Sequence, residues 1–195
     1  MAIPMASSTE HKSEHQNLGT TTADKLFLAF LVLVVAAVTL LGVVNYKEAI
    51  KVEAAKSNGE AWVEWLTEAG TTRFEADTKL AACKGGVKPA ADAKADTPGT
   101  WGACLAYILA ETELKDQVNT FFNKPPHFVA ACDPKDRTLM GAILLEDLMP
   151  TPPGSATPFV ASQLLETDPI DYKMQLRLSV CDKGGYAIKV AEFEF

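Results

Sequence analysis

The sequence predicts an α+β protein: a single N-terminal transmembrane helix extending into a globular domain in which helices come first and an antiparallel β-sheet comes last. Three observations predict it. Residues 26–44 are nineteen positions without a charge, fourteen of them Leu, Val or Phe. The stretch that follows repeats its apolar residues at helical spacing, and from about residue 128 the period falls to two, so helix gives way to strand. Helices followed by strands, rather than alternating with them, make an α+β domain.

At the helical rise, residues 26–44 cover ~28 Å, the thickness of a bilayer's hydrocarbon core. Leu, Val and Phe favour insertion individually, and fourteen of them together by roughly 4 to 8 kcal/mol as an upper bound. A secretory signal has a basic start, a short apolar run and a small-x-small cleavage site. Here the start is long and polar, the run is overlong, and Val43, Val44, Asn45, Tyr46 and Lys47 stand where the cleavage site belongs. A retained anchor is expected. The alternative is a cleaved signal that leaves a domain beginning near Tyr46.

The chain divides into a polar leader at 1–23 that reads as disordered, the transmembrane helix and its extension at 24–56, and an extracytoplasmic α+β domain at 57–195. The 195 residues carry a net charge of −7. An acidic surface repels nucleic acid and anionic lipid, which excludes nucleic acid as a partner. Charge flanking the span is nearly balanced, with Lys12 and Lys25 before it and Lys47, Lys51 and Lys56 after it, so orientation rests on the cysteines. Cys83, Cys104, Cys132 and Cys181 are even in number, all follow the span, and form no Cys-x-x-Cys pair. That pattern fits structural disulfides in an oxidising compartment. The expected location is a cell inner membrane, crossed once, with the C-terminal domain periplasmic or extracellular.

Beyond the span the helical pattern continues, with Ile50, Ala54 and Ala61 on one face. Ser57 followed by Glu60 forms a capping-box pattern at which the helix is expected to restart or kink. Trp62, Trp65, Leu66 and Ala69 make an apolar, core-facing turn that is expected to stop at Gly70. Thr72 with Glu75 repeats the box and predicts a short helix to Cys83. Residues 84–100, rich in Gly, Ala, Asp, Lys and Pro, read as a mobile surface loop. Residues 101–111 predict an amphipathic helix with Trp101, Cys104, Leu105 and Ile108 on one face. Cys104 can meet Cys83 across the loop, a closure of about twenty residues that stabilises by roughly 3 kcal/mol in the chain-entropy model. Leu114, Val118, Phe121 and Phe122 are expected to extend that face until Pro125 and Pro126 end it.

Residues 128–132 and 138–145 read as two strands joined by a turn at 133–137. Four prolines and a glycine make 150–158 an extended connection, and 159–165 predict a short edge strand. In 172–181 the apolar Tyr172, Met174, Leu176, Leu178 and Val180 alternate with polar residues, the mark of a strand with one wet face. Residues 182–185 turn the chain, and 186–195 return. The return strand shifts phase between Val190 and Phe193, which predicts a bulge near Ala191. Cys132 and Cys181 each close a strand before its turn and are plausible neighbours in one sheet.

The residue types that carry chemistry are sparse. His127 stands alone between Pro126 and Phe128, where a general base needs a partner and a pocket. No Ser, Cys or Asp set around it forms a triad motif. His11 and His15 lie four apart without Cys or carboxylate support, a weak basis for a metal site. Gly85 and Gly86 lack the Lys-Ser/Thr of a phosphate loop. The carboxylates Glu111, Glu113, Glu146 and Asp147 sit at element ends, where solvation accounts for them. No enzyme activity, cofactor or metal is expected. The span has no pair of small residues at four-residue spacing and no ionisable group within it.

A polar leader, an apolar helix running on into a domain, a variable middle loop and a C-terminal sheet with cysteines resemble the layout of type IV pilins and pseudopilins. In that family a peptidase cuts after a glycine, and an acidic residue stands fifth in the mature chain. The resemblance places the cut between Gly19 and Thr20 and makes Asp24 the fifth residue. This chain has Asp where the family usually has Glu, threonines where it has apolar residues, and only Lys12 in a leader that is usually basic. The resemblance implies that Asp24 pairs with a neighbouring subunit's N-terminal amine in a low-dielectric filament core. It also implies copies of itself or related subunits as partners, beside the membrane. A second reading of the same features is a single-pass anchored accessory or binding subunit of an envelope complex.

Overall fold

The computed structural model describes residues 21–75, 78–85, 94–171 and 173–195. The elements are helix α1 (Thr22–Thr72), helix α2 (Trp101–Glu111), and strands β1 (Ile143–Pro150), β2 (Phe159–Gln163), β3 (Gln175–Cys181) and β4 (Ala187–Glu194), with short 3-10 turns at Ala81–Cys83, Glu113–Asp116 and Arg137–Leu139. The strands form one antiparallel sheet in the order β2-β1-β3-β4. The predicted α+β class is the observed one.

The chain divides into two compact units after Val44. In the first, residues 22–44 are helical and every described side chain is exposed. α1 is the one helix among the described residues long and apolar enough to cross a membrane. In the second unit, residues 45–72 of α1 bury Ala55, Gly59, Trp62, Leu66 and Ala69, a stripe at alternating four- and three-residue spacing. This stripe is offset by one position from the expected Ile50, Ala54 and Ala61. Gly59 decides the offset, because a methyl there would meet Val190 Cγ2 at 2.9 Å and the side chains of Leu178 and Val180 at 3.2 Å. Only a glycine lets the helix come this close to the sheet.

Two expected helix boundaries are not used. α1 runs through Ser57 and Glu60 without interruption, since the buried stripe on both sides favours continuing. It also continues past Gly70 to Thr72. Gly70 serves close approach instead: an added Cβ would lie 2.8 Å from Phe195 Cα. Thr72 and Glu75 open no helix, and the chain turns at 73–75. α2 has the predicted bounds, capped by Thr100, whose hydroxyl accepts from Ala103 N at 3.3 Å. Part of the expected loop, 86–93, lies outside the described residues. At its far end Thr100 is fully buried and bridges to Pro169, so that end is docked.

After α2 the apolar face breaks: Leu114 is buried on a 3-10 turn, but Val118 and Phe122 are exposed. The expected 128–145 hairpin is also replaced. Phe128 bridges Ile143 in parallel, with Val129 N donating to Ile143 O at 2.9 Å and Ile143 N donating to His127 O at 3.0 Å. Residues 137–139 form a 3-10 turn, and β1 begins at Ile143. β1 then extends through the first of the four prolines, pairing Pro150 with Phe159 of β2, which is the expected edge strand. The β3–β4 register slips between Leu178 and Ser179, where Leu178 faces Ala191 and Ser179 faces Lys189, leaving Val190 as the extra residue of the predicted bulge. Tyr172 lies outside the described residues. Ser179, expected on the wet face, is buried at the end of β3 that the Cys132–Cys181 bridge closes off.

The core joins α1, α2 and the sheet. Trp62 stands edge-on to Phe128 with centroids 5.1 Å apart, and Trp101 edge-on to Phe195 at 6.0 Å. Trp65 packs at its margin, half-buried.

Candidate functional site

At the start of α1, Thr21 and Asp24 cap the helix reciprocally. Asp24 Oδ2 accepts from Thr21 N at 2.8 Å and from Thr21 Oγ1 at 2.7 Å, while Asp24 N donates to Thr21 Oγ1 at 3.2 Å. This is a capping box, and its carboxylate also suits the positive end of the helix dipole. The Thr-x-x-Asp spacing was the signal for it. Gly19 and Thr20, the expected cleavage pair, lie outside the described residues, as do His11 and His15.

The four cysteines form two disulfides, Cys83–Cys104 and Cys132–Cys181, with Cα atoms 4.5 and 5.5 Å apart. The first ties the 3-10 turn after α1 to α2. The second ties the loop before β1 to the end of β3. Both fit an oxidising, extracytoplasmic setting for the domain.

Beside the first bridge lies Arg73, fully buried at the end of α1. Its Nη1 donates to the Cys83 carbonyl at 3.3 Å, and its Nη2 to the main-chain oxygens of Asp171 and Phe195 at 2.8 Å each. The guanidinium lies over the Phe195 ring at 4.2 Å and the Phe74 ring at 4.7 Å. Burial lowers its pKa to about 10, with Asp171 acting in the opposite direction. A planar group with five donors reaches three separate segments at once, which a lysine cannot do. No pattern in the sequence distinguishes Arg73 from a surface charge.

Three side-chain contacts hold the domain to the first turns of α1 beyond the apolar run. Lys183 Nζ donates to Glu48 Oε2 at 2.8 Å, Thr120 Oγ1 to Lys51 O at 2.8 Å, and Asn58 Nδ2 to Val118 O at 2.9 Å. They join segments 60 to 135 residues apart in sequence, so spacing gave no sign of them.

Comparison with family models, with curated proteins and with solved structures finds no match. The reading therefore rests on geometry. His127 lines an open depression of about 490 Å³ with Phe122, Lys124, Pro125 and Pro126. Its other polar walls are Asn119, whose amide donates to Met140 O, and Thr138, whose hydroxyl donates to Asp136. On the sheet Arg177 links neighbouring strands, 3.7 Å from Glu146 of β1 and 2.9 Å from Glu192 of β4, and its hydrogen bond holds Glu192 below the usual carboxylate range. Asp147 is raised, first by burial and then by Asp171 and Asp168. The Arg177 pairs brace the sheet, whereas Asp147 is held against its neighbours. The described residues thus comprise an exposed helical segment whose residues 26–44 carry no charge, and a disulfide-stapled domain that packs on residues 45–72 of α1.

Proposed function

We propose that this chain is a membrane-anchored, pilin-like structural subunit of a filament or secretion-type assembly, without enzymatic activity. One observation carries the reading. α1 is continuous over 51 residues: residues 26–44 are exposed and without a charge, and residues 45–72 bury a stripe against an antiparallel-sheet domain. Such a helix serves two hosts: a bilayer before assembly, and the apolar core formed by its own copies or related subunits afterwards. The acidic domain stands on the periplasmic or extracellular side of an inner membrane, where its disulfides persist. Intact mass and N-terminal sequencing of membrane-extracted protein from its own host test this. A chain beginning at Thr20 is expected; one beginning at Met1 or Ala2 overturns it.

A second reading, a single-pass accessory or binding subunit of an envelope complex, draws support from Asp24. Its Oδ2 already serves the helix cap, a role that needs no neighbouring subunit. Asp24→Ala separates the two. The filament reading expects assembly to fail while the domain keeps its thermal transition. Normal assembly by this variant moves the assignment to the accessory subunit, in which Asp24 merely caps α1.

A further inference from the structure

Among the described residues after Val44, Tyr46 and Tyr186 carry the most exposed aromatic rings. Past residue 44 the chain reaches Glu48 in four residues, and there the β3–β4 turn is already in contact through Lys183. Four residues span at most about 14 Å when fully extended. Glu48 therefore lies within that distance of the end of the apolar segment, whatever the direction in which the domain is carried.

The turn is braced. Asp182 Oδ1 accepts from Gly184 N at 2.7 Å and from Tyr186 N at 2.8 Å. Gly185 takes a φ of +76° and lies so close to Asp133 and Pro134 that no side chain fits. Cys181 at its base is bridged to Cys132. On this rigid turn Tyr186 is 65 % exposed, and Tyr46, two residues past the apolar run, is 68 % exposed. Ile50 is half exposed on the following turn of helix. A tyrosine ring is apolar with a polar tip, and it is favoured at the headgroup level of a bilayer, where both parts are satisfied. The nearby lysine does not supply the attraction, because its ammonium is paired with Glu48.

We propose that Tyr186 and Tyr46 seat in the headgroup layer of the bilayer crossed by residues 26–44, making the β3–β4 turn the lipid-contacting end of the domain. The rings rather than net charge carry the contact, so zwitterionic phosphatidylcholine suffices. The proposal rests on the anchored reading of residues 26–44.

The test uses the full chain in phosphatidylcholine vesicles containing headgroup-nitroxide lipid, with Tyr186→Trp compared with Val160→Trp and the wild-type signal as background. Val160 is also exposed, but it pairs with Met149, six residues along β1 from the Ile143–Val180 pair. That is about 20 Å of strand. Y186W fluorescence is expected to be quenched at least about twofold more strongly than that of V160W. Equal quenching, in protein that stays in the vesicles through alkaline extraction, overturns the proposal and leaves the anchor standing; a turn that serves a protein partner gives this result. Release of the wild-type chain by alkaline extraction overturns the anchor itself. In the unmodified chain, phosphatidylcholine bearing a photoactivatable headgroup should label the peptide containing Tyr186 in preference to that containing Val160, and the absence of that preference overturns the proposal even where Y186W does not fold.

Discussion

In residues 22–44, helix α1 buries no side chain, and its apolar residues surround the axis. In residues 45–72 it buries five, with Glu53, Glu60, Glu64 and Glu68 exposed elsewhere on the helix and Lys56 within 3.9 Å of Glu60. The backbone repeats the same geometry throughout. The difference lies in what surrounds the helix. Apolar residues on all sides specify a solvent but no rotation, since every face is equivalent in hydrocarbon. A stripe specifies a rotation, because only one face can meet the sheet. The first half therefore tolerates exchange among apolar residues, and the second half depends on particular ones.

Substitution in matched pairs tests this contrast most severely. Trp62→Ala removes the largest buried ring of α1 and is expected to cost the domain about 3–5 kcal/mol. Leu31→Ala should leave the domain's thermal transition in detergent unchanged and weaken insertion by less than about 1 kcal/mol. Near-UV circular dichroism on heating reads the first effect and alkaline extraction the second. Equal losses of domain stability would erase the distinction between the halves.

The two glycines of α1 give a smaller contrast. Gly59→Leu drives a side chain into Val190, Leu178 and Val180, and is expected to cost about 1–3 kcal/mol in denaturant titration. Gly42→Leu meets no atom within 4 Å and should leave the denaturation midpoint where it was.

Acid gives the smallest effect. Residues 26–44 hold no ionisable group, so membrane retention should not respond to pH. The domain should respond through carboxylates shifted in opposite directions: Glu48, Asp136 and Glu192 are lowered and Asp147 is raised. The folded-state pKa of Glu192 is depressed, so its stabilisation is present above the ordinary value of 4.5 and is lost as pH falls. That of Asp147 is raised, so the folded state binds its proton more tightly than the unfolded chain does, and the penalty for ionising it grows as pH rises above 3.8. Asp147→Asn should therefore melt higher than the parent at neutral pH, and the gap should close as pH falls. A gap independent of pH would assign the gain to packing.

The sequence made the saturated and strictly periodic stretches legible. The bare stretch of α1 at 26–44, the bounds of α2, the alternation of β3 and the bulge at Val190 all follow from hydropathy and period. The cysteine placement suggested both pairs without fixing the connectivity, and Cys132 meets Cys181 from a loop rather than from the expected strand. The buried stripe of α1 was legible at Trp62, Leu66 and Ala69; before Trp62 it came out one residue off because Ala54, Ala55 and Ala61 are alike in hydropathy, and only the close approach at Gly59 separates them. Three Ser/Thr-x-x-acid patterns occur along α1 and its end, and the one at Thr21 is the cap that forms. The boxes at Ser57 and Thr72 lost, the first to continuous packing on the sheet and the second to the turn at Arg73. The 128–145 hairpin failed for a related reason: Phe128 gains more from meeting Trp62 and pairing in parallel with Ile143 than from folding back locally. Arg73 was illegible altogether, since its described hydrogen-bond partners include main-chain oxygens 10 to 122 residues away.

Arg73 also imposes an order on synthesis. It leaves the ribosome with α1, yet the oxygens it serves include those of Asp171 and Phe195, made more than ninety residues later. Until then Trp62, Leu66 and Ala69 lack the strands that cover them, and the guanidinium must stay hydrated. Closing the domain therefore waits on contacts of long sequence separation, which slows folding. During that interval the helix face that will meet the sheet is uncovered, and this is when the chain is most exposed to misassociation.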